Sequence, residues 1–262
     1  MKISFSQSVV NYNNYFKSEK PKVSVLAPSF TANPKGVCKD LTKVGAEVLS
    51  DAEYKKLLDK VYSYTCKDGK PLYNAEYNLK NYPKIKKDQE GLLLYAGCSD
   101  ISDDMNRFLS HRDMRRMAKE QAKDVIKVFD YSLKKLDDKF GKYSGFVFRQ
   151  GVFPSGQHQY ISTTTDPVIA ATLRGGICTN KNMEFSLIKA KNGHKINEFQ
   201  RKMGSDYAQE EEEILLSRKA KIREIKTPYG QFLTLKNKFK KLLETYAHQE
   251  INPDKIRVFE EV

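Results

Sequence analysis

The stretch QEEEEILLS, residues 209–217, sets four consecutive carboxylates, Glu210 to Glu213, against the apolar run Ile214-Leu215-Leu216. A short aliphatic run bounded by polar residues reads as a buried strand. A carboxylate abutting such a strand is costly unless it is solvated or used. Taken alone, the stretch also fits an acidic loop on a basic protein. Working back, QYISTTTD (159–166) reads as a strand carrying the hydroxyls of Ser162, Thr163 and Thr164. Such hydroxyls can bond both a ligand and a neighbouring catalytic group, although Thr is also simply a good strand former. Further back, GFVFRQG (145–151) closes an apolar strand with Arg149. A guanidinium is a planar fork that matches phosphate oxygens, although an arginine at a strand end is commonly just exposed.

These strands belong to a chain whose texture changes near Gly141. Before it the patterns are helical. Ser50 and Glu53 form a capping box opening a helix over 51–64. The stretch 67–87, broken by Pro71 and Pro83, reads as loops with short helical pieces, and Leu92–Tyr95 as a short buried segment. Ser102 is placed to cap a helix carrying Met105, Asn106 and Leu109. Met114, Met117, Ala118, Val125, Phe129, Leu133 and Leu136 fall on one face of a helix, with Arg112, Arg115, Arg116, Lys119, Lys123 and Lys127 at other positions. That basic face reads as the solvated side of a core helix, with phosphate binding as the alternative.

After Gly141 come short β-rich runs at 145–149, 159–164, 183–189, 213–217, 221–225 and 255–260. Turn signals at Pro154-Ser155-Gly156, Gly175-Gly176 and Asn192-Gly193 separate several of them. A basic amphipathic helix over 231–248 turns Phe232, Leu235, Phe239, Leu242 and Leu243 inward. Helices first, then strands with a late helix, is an α+β arrangement. Residues 1–37 hold Pro21, Pro28 and Pro34 and a single acidic residue, Glu19, and read as a disordered leader, either secretion-related or a floppy terminus. Residues 38–262 read as a single domain.

Of the 262 residues, 46 are basic and 33 acidic, a net charge of +13. Such a surface attracts anions, whether nucleotide phosphates, nucleic acid, acidic protein or an anionic membrane face. The apolar fraction of 39% suffices for a core and excludes a disordered chain. Cys38, Cys66, Cys98 and Cys178 lack CxxC spacing and lie far from the histidines, so neither a zinc site nor a disulfide framework is expected. There is no apolar run of about 18 residues, hence no expected transmembrane helix. MKISFSQSVVNYNNYF has no apolar h-region, so it is not an ordinary signal peptide.

Taken in order, Arg149 at a strand end, S-T-T on the next strand and E-x-E directly before I-L-L resemble the R-S-E class of ADP-ribosyltransferases. That family comprises bacterial mono-ADP-ribosylating exoenzymes and toxins and vertebrate arginine-modifying ectoenzymes. LLLYAGCSDISDDMNRFL (92–109) is similar to the start of the exoenzyme domain. KNGHKINEF (191–199) with EEEILLSRKAKIREI (211–225) is similar to its closing stretch of Gly turn, target-recognition loop and catalytic strand. The resemblance spans roughly residues 45–230.

The resemblance implies an ADP-ribosyltransferase fold, with N-terminal helices packed on a mixed, split β-sandwich core. It implies NAD+ as co-substrate, no metal, and transfer of ADP-ribose to a target protein, on arginine in the pattern of the E-x-E branch. It implies a secreted or injected bacterial toxin or effector acting in the target-cell cytoplasm (cytoplasmic if not exported), monomeric and not inserted in membranes. In that pattern Arg149 grips the pyrophosphate, with Gln150, Gly151 and Arg174 in the cofactor site. Ser162 orients Glu213, and Thr163 and Thr164 line the NAD+ site. Glu213 bonds the nicotinamide ribose 2′-hydroxyl and stabilises the oxocarbenium ion. Glu211, on the same side of an extended segment, orients an incoming guanidinium. Phe199 and Tyr207, in the loop before it, pack on the acceptor, and Glu210 and Glu212 form an acidic flank that could draw a basic target. Several toxins of this class carry an aromatic residue shortly after S-T-S; here Leu173 takes that position, leaving nicotinamide to aliphatic contact or to another ring such as Phe185. The alternatives are an NAD+ glycohydrolase, an ADP-ribosyltransferase acting on nucleic acid, and a basic RNA-binding module. The last has no use for buried carboxylates beside a phosphate-gripping arginine.

Overall fold

The computed structural model describes residues 49–97, 99–151, 159–172, 183–203, 212–247 and 250–262; the leader expected over 1–37 lies outside them. The N-terminal half is helical, with α1 (Asp51–Tyr62), α2 (Ala75–Asn81), α3 (Glu90–Ala96), α4 (Ser99–Leu109) and α5 (Lys119–Phe140). The capping box forms as expected: Glu53 N donates to Ser50 Oγ at 3.3 Å, and Ser50 N donates to Glu53 Oε2 at 2.8 Å. Leu92–Tyr95 is a turn of α3, and α4 begins at Ser99, so Ser102 lies inside it instead of capping it.

The long helix is shorter than its apolar pattern. Met114, Met117 and Ala118 precede α5, because the Asp104 carboxylate accepts the N–H groups of Arg115, Arg116 and Met117 at 2.6, 2.6 and 2.8 Å. A buried acid collecting three backbone donors fixes that segment as a loop and answers its own desolvation cost. Leu58, Leu92, Leu93, Met105, Val125, Phe129 and Leu136 form the main core, joined by Tyr160, Ile196, Phe199 and Leu215 from the C-terminal half.

That half carries six strands: β1 (Tyr143–Gln150), β2 (Ile161–Thr164), β3 (Phe185–Gly193), β4 (Glu213–Leu216), β5 (Ile222–Glu224) and β6 (Ile256–Glu261). All six coincide with expected β runs. Helices α6 (Pro167–Thr172), α7 (Ile196–Met203) and α8 (Gly230–Ala247) complete it. The strand order is β4-β2-β1-β3-β6-β5, with β3 and β6 parallel and the other neighbours antiparallel. Phe146 and Phe148 of β1 pack on Phe232 and Phe239 of α8, with ring centroids 5.4 and 4.8 Å apart.

The sheet is split between β1 and β2, which share only the pair Phe148↔Thr164. Beyond it β2 and β4 swing away, and β4 folds back to meet the end of β3. There His194 N donates to Leu215 O and Leu215 N to His194 O, both at 2.9 Å. Val147, Ile188, Ala190 and Phe259 face Ile161, Ile214 and Leu216 across the resulting gap in a small second core. Gly193 permits this crossing: a Cβ there would sit 2.4 Å from Ile214 Cγ2. Asn192-Gly193, expected as a turn, is instead where β3 ends and β4 passes over it. The architecture is therefore α+β, with helices packed on a mixed, split β core.

Buried polar contacts tie the split half to the helices. Tyr160 OH donates to Asp130 Oδ1 at 2.5 Å, and Arg218 Nη2 donates to Asp130 Oδ2 at 2.8 Å. Tyr160 precedes β2 and Arg218 follows β4, so one carboxylate of α5 holds both strands at that end. Burial, then the Asp130 charge, pushes the Tyr160 hydroxyl far above its ordinary pKa.

Candidate active site

The strand order β4-β2-β1 brings the three sequence motifs onto adjacent strands. Antiparallel pairing sets Thr164 opposite Glu213 and Ser162 opposite Leu215. Paired residues share a face and successive residues alternate. Ser162, Thr164 and Glu213 therefore lie on one face of the β2–β4 ribbon, with Ser162 one diagonal step from Glu213. From β1, Arg149 Nη1 donates to the Ser162 carbonyl at 2.6 Å. Arginine, serine and glutamate, separated by more than 60 residues in sequence, thus meet within one patch.

The Glu213 carboxyl is nearly buried, at 6% exposure, and Gln200 Nε2 of α7 donates to its Oε2 at 2.5 Å. Gln200 is a contact of the candidate site that sequence reasoning missed. Its helix was read as a loop because eight residues are too few for a clear period. The available signal was Ile196, Phe199 and Met203 at i, i+3 and i+7, with Asn197, Gln200 and Arg201 as a second stripe.

Glu212 is also placed differently from expectation. Its φ is 42°, in the left-handed region. Its carboxylate is held inside the chain: Asn197 Nδ2 donates to Oε2 at 2.9 Å, and Arg201 Nη2 to Oε1 at 2.6 Å. That contact, first of its causes, holds the Arg201 guanidinium above its ordinary pKa. Glu212 is therefore engaged by α7 and is not a loose acidic flank. The left-handed turn also removes the extended backbone on which the common facing of Glu211 and Glu213 was argued. Glu210, Glu211, Tyr207, Leu173 and Arg174 lie outside the described residues.

Four further expectations are corrected by the geometry. Thr163 points to the opposite face of β2 from Ser162, is buried, and spends its hydroxyl on the Ile214 carbonyl at 2.5 Å. Gln150 alternates away from Arg149, with its amide 2.9 Å from the Met183 sulfur. Phe199 is on a helix and fully buried in the main core, so it offers no surface to an acceptor. Phe185 is likewise fully buried, edge-on to Phe239 at 5.7 Å, and cannot cover a nicotinamide ring. Thr164 remains on the Glu213 face, where its Oγ1 accepts Asp166 N at 3.0 Å at the start of α6. Gly151, expected beside the cofactor, has φ 101°, and among the described residues nothing stands where a side chain would be, which suits close approach of a ligand to backbone.

A pocket of about 420 Å³ lies elsewhere, lined by Lys127, Asp130, Asp137, His194, Ser217 and Lys219 among others. Ser217 follows β4, so this pocket is at the opposite end of that strand from Glu213. Among the described residues there is no cluster of metal-ligating side chains, and no helix is long and apolar enough to cross a membrane.

No family model and no curated protein matches the chain. Among solved structures it is similar to the ADP-ribosyltransferase HopU1 of Pseudomonas syringae pv. Tomato DC3000, at 13% identity and TM-score 0.45, covering 81% of this chain and 98% of that one. It is similar to the type III effector XopAI of Xanthomonas axonopodis pv. citri, at 12% identity and TM-score 0.45, covering 86% and 95%. It is also similar to Vis toxin, an ADP-ribosyltransferase from Vibrio splendidus, at 15% identity and TM-score 0.36, covering 85% and 90%.

Proposed function

We propose that this chain is a mono-ADP-ribosyltransferase that cleaves NAD+ and passes ADP-ribose to a protein acceptor, with arginine as the acceptor side chain. The observation that carries the reading is the meeting of Arg149, Ser162 and Glu213 on three neighbouring strands, with the Glu213 carboxyl nearly buried. A buried carboxylate and a half-exposed guanidinium within one patch suit a substrate that carries both a developing cation and a pyrophosphate.

The chemistry follows from the charges. The C1′–N1 bond of the nicotinamide ribose breaks and its electron pair goes to the ring nitrogen, which leaves neutral. The ribose becomes an oxocarbenium ion, as in glycoside cleavage. Glu213 supplies negative charge beside it, and burial makes that charge more effective than it would be in water. Ser162, on the same face, is placed to steady Glu213 or a ribose hydroxyl. Arg149 offers a pyrophosphate the planar donor set that phosphate oxygens fit. An acceptor guanidine nitrogen then attacks C1′ and gives up a proton, a role we assign to Glu211. Residues 1–37 are assigned to a leader, secretion-related, ahead of a catalytic domain over 38–262.

The test has two arms. Nicotinamide release from NAD+ by the purified chain is the first; its absence, with and without eukaryotic lysate, overturns the reading. The second is biotinyl-NAD+ labelling of that lysate across a salt series, with mapping of the labelled residue. Protease-sensitive label on arginine is expected. Label that is RNase-sensitive and falls steeply with salt identifies nucleic acid as acceptor, and nicotinamide release without label identifies a glycohydrolase.

A further inference from the structure

We infer that α7 is a positioning element for Glu213 and that Gln200 is its working contact, an inference that rests on the reading of Glu213 given above. Asn197, Gln200 and Arg201 stand at i, i+3 and i+4 and so share one side of the helix. All three reach the same two residues: Asn197 and Arg201 clasp Glu212, and Gln200 donates to Glu213. The adjoining side carries Ile196 and Phe199, both buried in the main core. The helix is therefore anchored on the core by its apolar side and holds the start of β4 by its polar side.

The clasp on Glu212 has a conformational purpose. A non-glycine residue at φ 42° is disfavoured and persists only when its surroundings over-determine it. The two contacts from α7, with Glu212 O accepting from Thr165 N at 3.2 Å, supply that determination. The turn they hold delivers the next side chain, Glu213, into β4 on the Ser162–Thr164 face. Gln200 then fixes the carboxyl itself. Its amide presents an N–H to the charged form of Glu213, which favours that form and sets the direction of the carboxyl plane.

Gln200 carries a further mark of this role. It is 5% exposed, and its Oε1 has no hydrogen-bond partner among the described residues. A buried carbonyl left unpaired is destabilising. A residue retained for packing alone would be better served by Leu or Met, which fill the space with no polar atom to satisfy. The chain accepts an orphan oxygen to place one nitrogen against Glu213.

Gln200→Met keeps shape and removes the donor. Loss of a hydrogen bond to a charged group in the reacting state is expected to lower kcat for nicotinamide release about tenfold to a hundredfold, with KM for NAD+ changed less than about threefold. The melting temperature should hold or rise, because the orphan carbonyl is gone. Gln200→Glu removes the donor and adds a like charge, so its kcat should fall below that of Gln200→Met. A second readout needs no turnover. The carboxyl carbon of Glu213, followed by NMR, should titrate at higher pH in Gln200→Met than in the unmodified chain, the charges on Arg149, Arg201 and Glu212 being common to both. If kcat simply tracks melting temperature across the variants, or if the Glu213 titration does not move, the inference is overturned. Glu213→Gln separates this from failure of the site reading. An inactive Glu213→Gln beside a fully active Gln200→Met refutes only the positioning role, whereas an active Glu213→Gln refutes the site itself.

Discussion

Glu213→Gln removes one negative charge and changes no atom count in the heavy-atom skeleton, so it isolates the electrostatic role assigned to that residue. Two charges 4 Å apart interact by about 1 kcal/mol in bulk water and by about 4 kcal/mol at an effective dielectric near 20. The exposure of Glu213 is 6%, which selects the second regime. At about 1.4 kcal/mol per factor of ten, the charge is then worth about 10³ in rate. The replacement amide keeps a dipole, so a loss between about 10² and 10³ in kcat for nicotinamide release is expected. A loss of only about fivefold would correspond to a carboxylate acting in bulk water and would refute the argument from burial. Stability should move the other way or not at all. The new amide oxygen still accepts from Gln200 Nε2, and a nearly buried charge is removed. A gain of about 1 kcal/mol raises the melting temperature of a domain this size by roughly 2–4 °C. The assays are chromatographic nicotinamide release and thermal unfolding on the same preparation. A melting temperature lower by many degrees would show that the carboxylate serves the fold and would remove the kinetic result as evidence.

Four further outcomes are expected. Arg218→Met leaves Asp130 without the partner at 2.8 Å; since Asp130 keeps 24% side-chain exposure, the low end of buried-pair losses applies, about 3 kcal/mol, seen as a fall of roughly 6–12 °C in melting temperature. Gly193→Ala forces a methyl to within 2.4 Å of Ile214 and should cost about 2 kcal/mol; an unchanged melting temperature would disprove the close crossing of β3 and β4. The Arg257 guanidinium beside Glu224 holds its carboxyl below the usual 4.5, so the pair stabilises the fold above that pH and is lost as pH falls through the lower folded value. In Glu224→Gln, melting temperatures at pH 6 and pH 3 should therefore lie closer together than in the unmodified chain. Deleting residues 1–37 should leave both turnover and melting temperature unchanged, checked by the same two assays.

The six strands were legible because each is a short β-rich run, several of them set apart by turn signals, and the long helices because their apolar residues recur over several turns. Failures occurred where a single tertiary contact outweighs local pattern. Met114 and Met117 fit the period of α5, yet Asp104 accepts the N–H groups of Arg115, Arg116 and Met117, and the helix begins only after them. Asn192-Gly193 has the composition of a turn, yet Gly193 is there for space under β4. Phe199 and Phe185 were aromatic residues near the motifs in sequence, and burial removed both from the surface.

Of the proposed site, the sequence pointed to Arg149, Ser162 and Glu213 through the order of three motifs that resembles the R-S-E pattern, since each residue read alone also fits an ordinary exposed or strand position. It also determined the strand on which each residue sits, since alternation and turn residues are local properties. Only the tertiary structure decided that those strands are neighbours, that β4 crosses back over β3, and that α7 holds Glu212 and Glu213 from the side. Strand order and helix placement depend on which apolar faces bury one another across long sequence separations, and no local period records that choice. Gln200 shows the limit plainly: as a letter it is one polar residue in a short helix, and it becomes part of the site only when the core anchoring Phe199 turns its amide onto Glu213.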